Sequence, residues 1–245
     1  MTKTIVITGA GAGIGKACSN YFIEKDYNVV MLGRNKSNLS PDNIEKKNYM
    51  SVECDVSKYE IVQKTFKNII NKYGRIDVLF NNAGIGNPAN TIDLISKDDW
   101  DNLIDINLNG SFYCAKEAFF YMKNQKPNGG RIINNGSISA YVPRPGSAPY
   151  TVSKHAITGL TKSISLDGRK FNISCSQIDI GNAATDMTKR MSEGVIQASG
   201  NIIKEPTIDV SHVSQAVFNI AELPLDANIQ FMTIMASSMP YIGRG

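Results

Sequence analysis

Tyr150 and Lys154 stand four residues apart at the start of an apolar-periodic stretch, so a helix there would project a phenol and an ammonium from nearly one face. Such a pair suits proton transfer: a tyrosine ordinarily titrates near ~10, and a neighbouring ammonium favours the phenolate and brings the group closer to neutral pH. Taken alone, the spacing is also that of an ordinary surface pair. A second candidate lies near the N-terminus, where Thr8-Gly9-Ala10-Gly11-Ala12-Gly13-Ile14-Gly15 joins an apolar run to a helical pattern. Glycines in that setting permit a tight turn and bring backbone N–H groups to a pyrophosphate at the positive end of the helix dipole. The next apolar run ends Leu32-Gly33-Arg34, with no acid anywhere from Val29 to Asn38. NAD-binding folds usually place an Asp or Glu there for the adenosine ribose 2′-OH. A guanidinium would instead pair with a 2′-phosphate, which points to NADP ahead of NAD, with Lys16 or Asn35 as further donors. The alternative for Arg34 is a solvated residue at a strand end.

Other chemistries have little support. Cys18, Cys54, Cys114 and Cys175 lie far apart in apolar segments, which fits buried thiols better than a disulfide framework. None has a second Cys or a His at metal-ligand spacing, and His155 and His212 are also far apart, so no metal is expected. The 26 basic and 22 acidic residues are scattered without a like-charge block, unlike a nucleic-acid footprint. No apolar run approaches the roughly 20 residues needed to span a bilayer, and no leader pattern precedes Thr8. The expectation is a cytoplasmic protein with a small-molecule partner, no nucleic acid and no membrane.

The elements that must position these residues alternate along the chain. Short apolar runs suggest about seven strands, near Lys3 to Thr8, Asn28 to Gly33, Tyr49 to Cys54, Val78 to Phe80, Arg131 to Asn135, Ile173 to Ile178 and Ile229 to Met235. Helical periodicity falls between them, near Gly13 to Lys25, Lys58 to Tyr73, Asp98 to Lys123, Tyr150 to Phe171, Thr185 to Ala198 and Val210 to Leu223. The clusters at Gly84 to Asn90, Lys126 to Gly130 and Pro143 to Pro149 are loops, too short to be interdomain linkers. That alternation predicts one α/β domain over residues 1–245, a Rossmann fold with a doubly wound parallel sheet and helices on both faces.

Six motifs in order carry a resemblance to the short-chain dehydrogenase/reductase family, from one end of the chain to the other. They are Thr8-Gly9 with Gly13 and Gly15; the pair Asp55-Val56; Asn81-Asn82-Ala83-Gly84; Asn107 in Asp105-Ile106-Asn107-Leu108; Ser137; and Tyr150 with Lys154. The resemblance implies an NADP-dependent oxidoreductase that moves a hydride between the nicotinamide and a carbonyl or alcohol carbon. It implies Tyr150 as general acid/base, Lys154 on the nicotinamide ribose, Ser137 on the substrate oxygen and Asn107 fixing a water in a proton relay. For the cofactor it implies Gly9, Gly13, Ile14 and Gly15 at the pyrophosphate and Asp55 and Val56 beside the adenine. Asn81, Ala83 and Gly84 would stand beside the adenosine ribose and the sheet core, and Gly181 and Thr185 near the nicotinamide. Assembly is implied too, as a homodimer or homotetramer through the helices Asp98 to Lys123 and Tyr150 to Phe171. Without the resemblance, Asp55 reads as a strand-end cap, Ser137 as a turn residue and Asn107 as a polar residue inside a helix.

Two segments depart from the family's pattern. After the sixth strand the family usually reads Pro-Gly, whereas this chain has Ile180-Gly181, which restores a backbone donor and frees one φ angle. The catalytic serine is usually preceded by another serine; here the segment reads Asn135-Gly136-Ser137, with Ser139 as a possible substitute for Ser137. The segments Thr185 to Lys204 and Tyr141 to Ser147 are expected to wall the substrate pocket, though Met187, Met191, Val195 and Ile196 select no compound. Two competing functions remain at this point. Enoyl-thioester reductases of the family carry their tyrosine six residues before the lysine, where this chain has Ala148. A catalytically silent NADP-binding regulator on the same fold is the alternative from another class; silent relatives are expected to lose the tyrosine or lysine that this chain keeps.

Overall fold

A computed structural model of the chain describes residues 2–42, 45, 48–86 and 89–242. Its first strand, β1 (Thr4–Thr8), is buried along its whole length, as a strand covered on both faces must be. α1 (Gly13–Glu24) returns the chain to β2 (Asn28–Gly33), and β3 (Tyr49–Glu53) and α2 (Tyr59–Tyr73) follow. Then come β4 (Val78–Asn81), α3 (Lys97–Ile104), α4 (Gly110–Asn124), β5 (Gly130–Asn135), α5 (Ala148–Gly168) and β6 (Ile173–Ile180). The chain continues through α6 (Lys189–Glu193), a small antiparallel pair β7 (Val195–Ile196) and β8 (Ile202–Ile203), α7 (Val210–Glu222) and β9 (Phe231–Ile234).

The main sheet has seven strands, all parallel, in the order β3-β2-β1-β4-β5-β6-β9. Alternation along β1 divides the core. Ile5 and Ile7 pack with Phe22 of α1 and Val213 and Val217 of α7, whereas Val6 packs on the opposite face with Phe66 of α2, Ala118 and Met122 of α4 and Ile164 of α5. Strand order reverses between β1 and β4, and in open α/β sheets ligands bind outside the carboxyl ends of strands at such a switch point. This Rossmann-type domain is the fold expected from the sequence.

Three local differences from the sequence reading bear on the site. The single helix expected over Asp98 to Lys123 is interrupted: Asp105–Asn109 adopts a π-helical turn between α3 and α4. The sixth strand runs on to Ile180, which stands opposite Ile234, and the Gly181 N–H closes the pairing on the Ile234 carbonyl at 2.8 Å. The helix expected over Thr185 to Ala198 is replaced by a 3-10 turn at Asp186–Thr188, the five-residue α6 and the β7–β8 hairpin. Gly194 at φ 135° stops α6, and a Cβ there would lie 2.8 Å from Ile202 Cγ2.

Candidate active site

The turn after β1 brings three strand ends together. Gly9 and Gly13 have φ values of 64° and 51°, a region that glycine enters without steric cost. A Cβ on Gly9 would lie 2.9 Å from Ala83 Cα, and one on Gly15 would lie 2.2 Å from the Gly9 carbonyl oxygen, so the loop packs tightly on β4 and on α1. Thr8 Oγ1 accepts the N–H groups of Asn82 and Ala83, each at 2.9 Å. Asn82 Nδ2 donates to the Thr8 carbonyl at 3.0 Å, and Asn135 Nδ2 donates to Asn82 Oδ1 at 2.9 Å. Behind this junction, α1 begins at Ala12 with no side-chain cap and no acid in its first turn. A helix start of this kind favours negative charge beside it.

A cleft of about 240 Å³ opens over the loop, lined by Gly9, Gly13, Ile14, Ala83, Gly84, Asn135, Tyr150, Lys154, Gly181 and Thr185 among others. α5 supplies Tyr150 and Lys154 from successive turns. Lys154 is buried, and its Nζ donates to the Asn135 carbonyl at 2.7 Å while lying 5.4 Å from the centre of the Tyr150 ring. The π-helical turn presents Asn107, whose Oδ1 accepts the Ile85 N–H at 2.8 Å and whose Nδ2 donates to the Ile85 carbonyl at 3.0 Å. The same amide reaches Ser153 Oγ of α5 at 3.5 Å, and a Cβ on Gly84 would lie 3.3 Å from its Oδ1. Asn107 therefore clamps the segment after β4 against the turn of α5 next to Lys154.

A smaller cavity, about 100 Å³, adjoins the cleft and shares Tyr150, Ile180, Gly181, Met187 and Thr188 with it. Ser137, Ser139, Arg144, Ser147, Asn182 and Met191 are also in its wall. Both candidate serines face it, and they differ in role: Ser137 Oγ accepts the Ser139 N–H at 3.1 Å. The Arg144 guanidinium donates to Asn182 Oδ1 at 3.2 Å and pairs at 2.6 Å with Glu205, whose side chain is fully buried. Glu205 also receives Asn182 Nδ2 at 2.9 Å and Gln197 Nε2 at 3.0 Å, tying the segment after β6 to the loop after β5. A larger groove of about 590 Å³ lies between α4 and α5 and contains none of these groups.

The remaining candidates are placed as follows. Arg34 is exposed at the end of β2, in a turn that packs on the glycine loop: a Cβ on Gly11 would lie 3.3 Å from Asn38 Cβ. Lys16 pairs with Asp42 at 2.7 Å, and Asn35 caps its own turn by accepting from Ser37. Asp55 Oδ1 accepts both the N–H and the hydroxyl of Ser57, at 3.0 and 2.8 Å. Val56 is buried against Gly110, where a Cβ would come within 2.7 Å of its Cγ2. Asn81 is buried behind the cleft and donates to the Ser111 carbonyl and to Asn134 Oδ1, each at 3.0 Å. Met187 and Arg144 stand within the two segments expected to wall the pocket, whereas Asn82, Asn135 and Gly136 line the cleft with no role expected of them. Asn82 lies inside the Asn-Asn-Ala-Gly motif; a strand-end Asn carries no signal until the fold assembles it.

A family model for the short chain dehydrogenases matches residues 3–195. The chain belongs to the short-chain dehydrogenase family. Among relatives of this family, it is 35% identical over 199 residues to a 3beta-hydroxysteroid dehydrogenase of Mediterraneibacter gnavus, with 79% of this chain and 70% of that protein covered. It is 36% identical over 193 residues to carbonyl reductase family member 4 of Xenopus laevis, covering 79% of this chain and 80% of that protein. Among solved structures, ElxO with bound NADP superposes with a TM-score of 0.84 at 26% identity, covering 96% of this chain and 97% of that one. A 3-ketoacyl-(acyl-carrier-protein) reductase from Brucella melitensis, complexed with NADH, has the same fold with a TM-score of 0.83 at 20% identity, covering 96% and 97%. The chain is thus an oxidoreductase of the short-chain dehydrogenase family with a nicotinamide cofactor.

Proposed function

We propose that this short-chain dehydrogenase is NADP-dependent and transfers a hydride between NADP(H) and a carbonyl or alcohol carbon, with Tyr150 carrying the proton. One observation supports the reading most strongly: Tyr150 lies at the junction of the glycine-loop cleft and the serine-lined cavity, with the Lys154 ammonium beside its ring. The uncapped start of α1 and the positive-φ glycine loop fit a pyrophosphate, held by the backbone of Gly9, Gly13, Ile14 and Gly15. Arg34 would meet the 2′-phosphate. Asp55 and Val56 would stand by the adenine, Ala83 and Gly84 by the adenosine ribose with Asn81 supporting them from the sheet, and Gly181 and Thr185 by the nicotinamide.

The nicotinamide, when bound, supplies or takes up the hydride. The chain's own groups handle the proton and the charge. In reduction the Tyr150 hydroxyl donates a proton to the substrate oxygen, and in oxidation it takes that proton back. Ser137 Oγ already accepts the Ser139 N–H, so its own proton is free to donate to the substrate oxygen and stabilise developing charge there. Lys154, anchored on the Asn135 carbonyl, has two further donors for ribose hydroxyls and holds its Nζ 5.4 Å from the centre of the phenol ring. Asn107 would hold a water between Lys154 and solvent. Assembly as a homodimer or homotetramer through α4 and α5 belongs to the same reading.

The test is a panel of ketones, aldehydes and alcohols with NADPH or NADP⁺, followed by nicotinamide absorbance. Turnover of at least one carbonyl–alcohol pair is expected. NADPH binding with no turnover across a broad panel would favour a silent nucleotide-binding protein instead.

A further inference from the structure

The unusual segment before Ser137 meets the end of β6 in space. β6 continues as a regular ladder to Ile180, with Asp179 opposite Thr233 and Ile180 opposite Ile234. Alternation then turns Ile178 and Ile180 toward the core shared with α7, and Gln177 and Asp179 toward α5. Asp179 is fully buried there. Its Oδ1 accepts the Ser137 N–H at 2.9 Å and Gln177 Nε2 at 2.7 Å, and its Oδ2 accepts the Tyr141 hydroxyl at 3.0 Å. Gly136, the residue directly before Ser137, is what admits it: a Cβ at that position would lie 2.0 Å from Asp179 Oδ1.

We propose that Asp179 is a positioning residue of the active site, its carboxylate fixing the backbone of Ser137 and the ring of Tyr141 and balancing the charge of Lys154, with Gly136 as its obligate partner. The proposal rests on the oxidoreductase reading for its catalytic consequence, and on packing alone for the Gly136–Asp179 pairing. Three donors converge on the two oxygens, and a neutral carboxyl would have to waste one of them on its own proton. Burial pushes the Asp179 carboxyl up; Gln177, Tyr141, the Ser137 N–H and the Lys154 charge pull it back. The groups facing it, among the described residues, are Ser137 and Tyr141 from the turn after β5, Gln177 and the β9 neighbour Thr233, and Lys154 from α5. Lys154 is the charged one. Tyr141, which also faces Tyr241, is the other titratable one, pushed up to about 12 by burial and by Asp179.

An Asp179→Asn amide can keep the geometry, its oxygen facing Ser137 and Gln177 and its NH₂ facing the Tyr141 oxygen, while removing the charge. With the counter-charge gone, Lys154 favours the phenolate at Tyr150 more strongly. The pH profile for oxidation of the fastest secondary alcohol of the panel should move its acid limb down by about 0.5 to 1 pH unit. Turnover should fall roughly tenfold, with KM for NADP⁺ and its binding within about twofold of wild type. Gly136→Ser should lower the melting temperature and turnover together. Gly136→Ser/Asp179→Ala, which vacates the space, should recover most of the lost melting temperature. An Asp179→Asn enzyme with wild-type turnover and an unmoved acid limb overturns the positioning role. A Gly136→Ser protein as stable as wild type, or a double variant no better than Gly136→Ser, overturns the pairing. Because melting temperature is read without substrate, a protein that turned over nothing would refute the oxidoreductase reading and still leave the pairing judged.

Discussion

Charge placed at single residues sets much of what this site can discriminate. Arg34 stands exposed on a turn packed against the glycine loop, while Lys16 is already engaged by Asp42, so the proposed 2′-phosphate preference rests mainly on one guanidinium. A charge-assisted contact of that kind contributes about 1.5 to 3 kcal/mol, or roughly one to two decades in affinity. Titration of the wild type with NADPH and NADH should therefore favour NADPH, and Arg34→Asp should lose most of that preference; tighter NADH binding by the wild type would remove the assignment. Asp179 allows a stability prediction with a definite sign. Its folded-state carboxyl titrates above the unfolded value because burial opposes the charge. A raised carboxyl favours folding when protonated, and that contribution is lost as pH rises from the ordinary carboxylate range, near ~4, through the folded-state value. The melting-temperature difference between Asp179→Asn and wild type should accordingly grow in the variant's favour from pH 4 to pH 7; a difference that shrinks over that interval would contradict it. The cysteines, read from the sequence as buried thiols, are free and buried, and burial pushes Cys18 up to about 12, with Cys114 and Cys175 likewise raised, which disfavours the reactive thiolate.

At the scale of elements, the wall of the smaller cavity is held by charges rather than by a helix. Arg144 and Glu205 join the loop after β5 to the segment after β6, and their environments are unequal, since Glu205 is fully buried while Arg144 keeps some contact with solvent. Removing the cation strands a buried carboxylate, so Arg144→Met should cost about 3 kcal/mol in urea unfolding, whereas Glu205→Gln, which keeps acceptor and donor atoms in place, should cost clearly less. Equal costs would mean that the pair is not the clamp described. This region was also the least legible part of the sequence. Met187, Met191 and Val195 fall at helical spacing, yet Gly194 and Gly200 both take positive φ and turn the segment into a short helix and a hairpin. Strands were easier to read, because β1 and β4 are buried on both faces and are nearly continuous in apolar or small residues, whereas β6 carries Gln177 and Asp179 inside it. The π-helical turn at Asp105–Asn109 left no trace in composition, since one extra residue in a helical turn changes neither propensity nor pattern. Its effect is nonetheless local and functional: it aims Asn107 at Ile85 and Ser153.

At the scale of the whole molecule, the reversal of strand order between β1 and β4 explains why the Gly9–Ile14, Asn82–Gly84 and Tyr150–Lys154 segments, spread over more than half the chain, line one cleft. The order of those motifs was readable; the depth at which each residue sits was not. Asn81 turned out to stand behind the cleft and Asn82 on it, a difference set by which way β4 ends. The outer surface of α4 and α5 leaves Phe112 and Leu166 exposed beside a groove of about 590 Å³, where Ala115 and Phe119 pack inward. Exposed apolar area of this kind on two adjacent long helices fits self-association. Light scattering at micromolar concentration should give the mass of a dimer or tetramer, and Phe112→Asp/Leu166→Asp should lower it; a monomeric wild type would reject the assembly. The most direct test of the account concerns the atom that carries the proton. Tyr150→Phe deletes the hydroxyl and keeps the ring, so turnover of NADPH with the best carbonyl substrate should fall by orders of magnitude while NADPH binding stays within a few-fold of wild type. Near-normal turnover in that variant would contradict the mechanism at its centre.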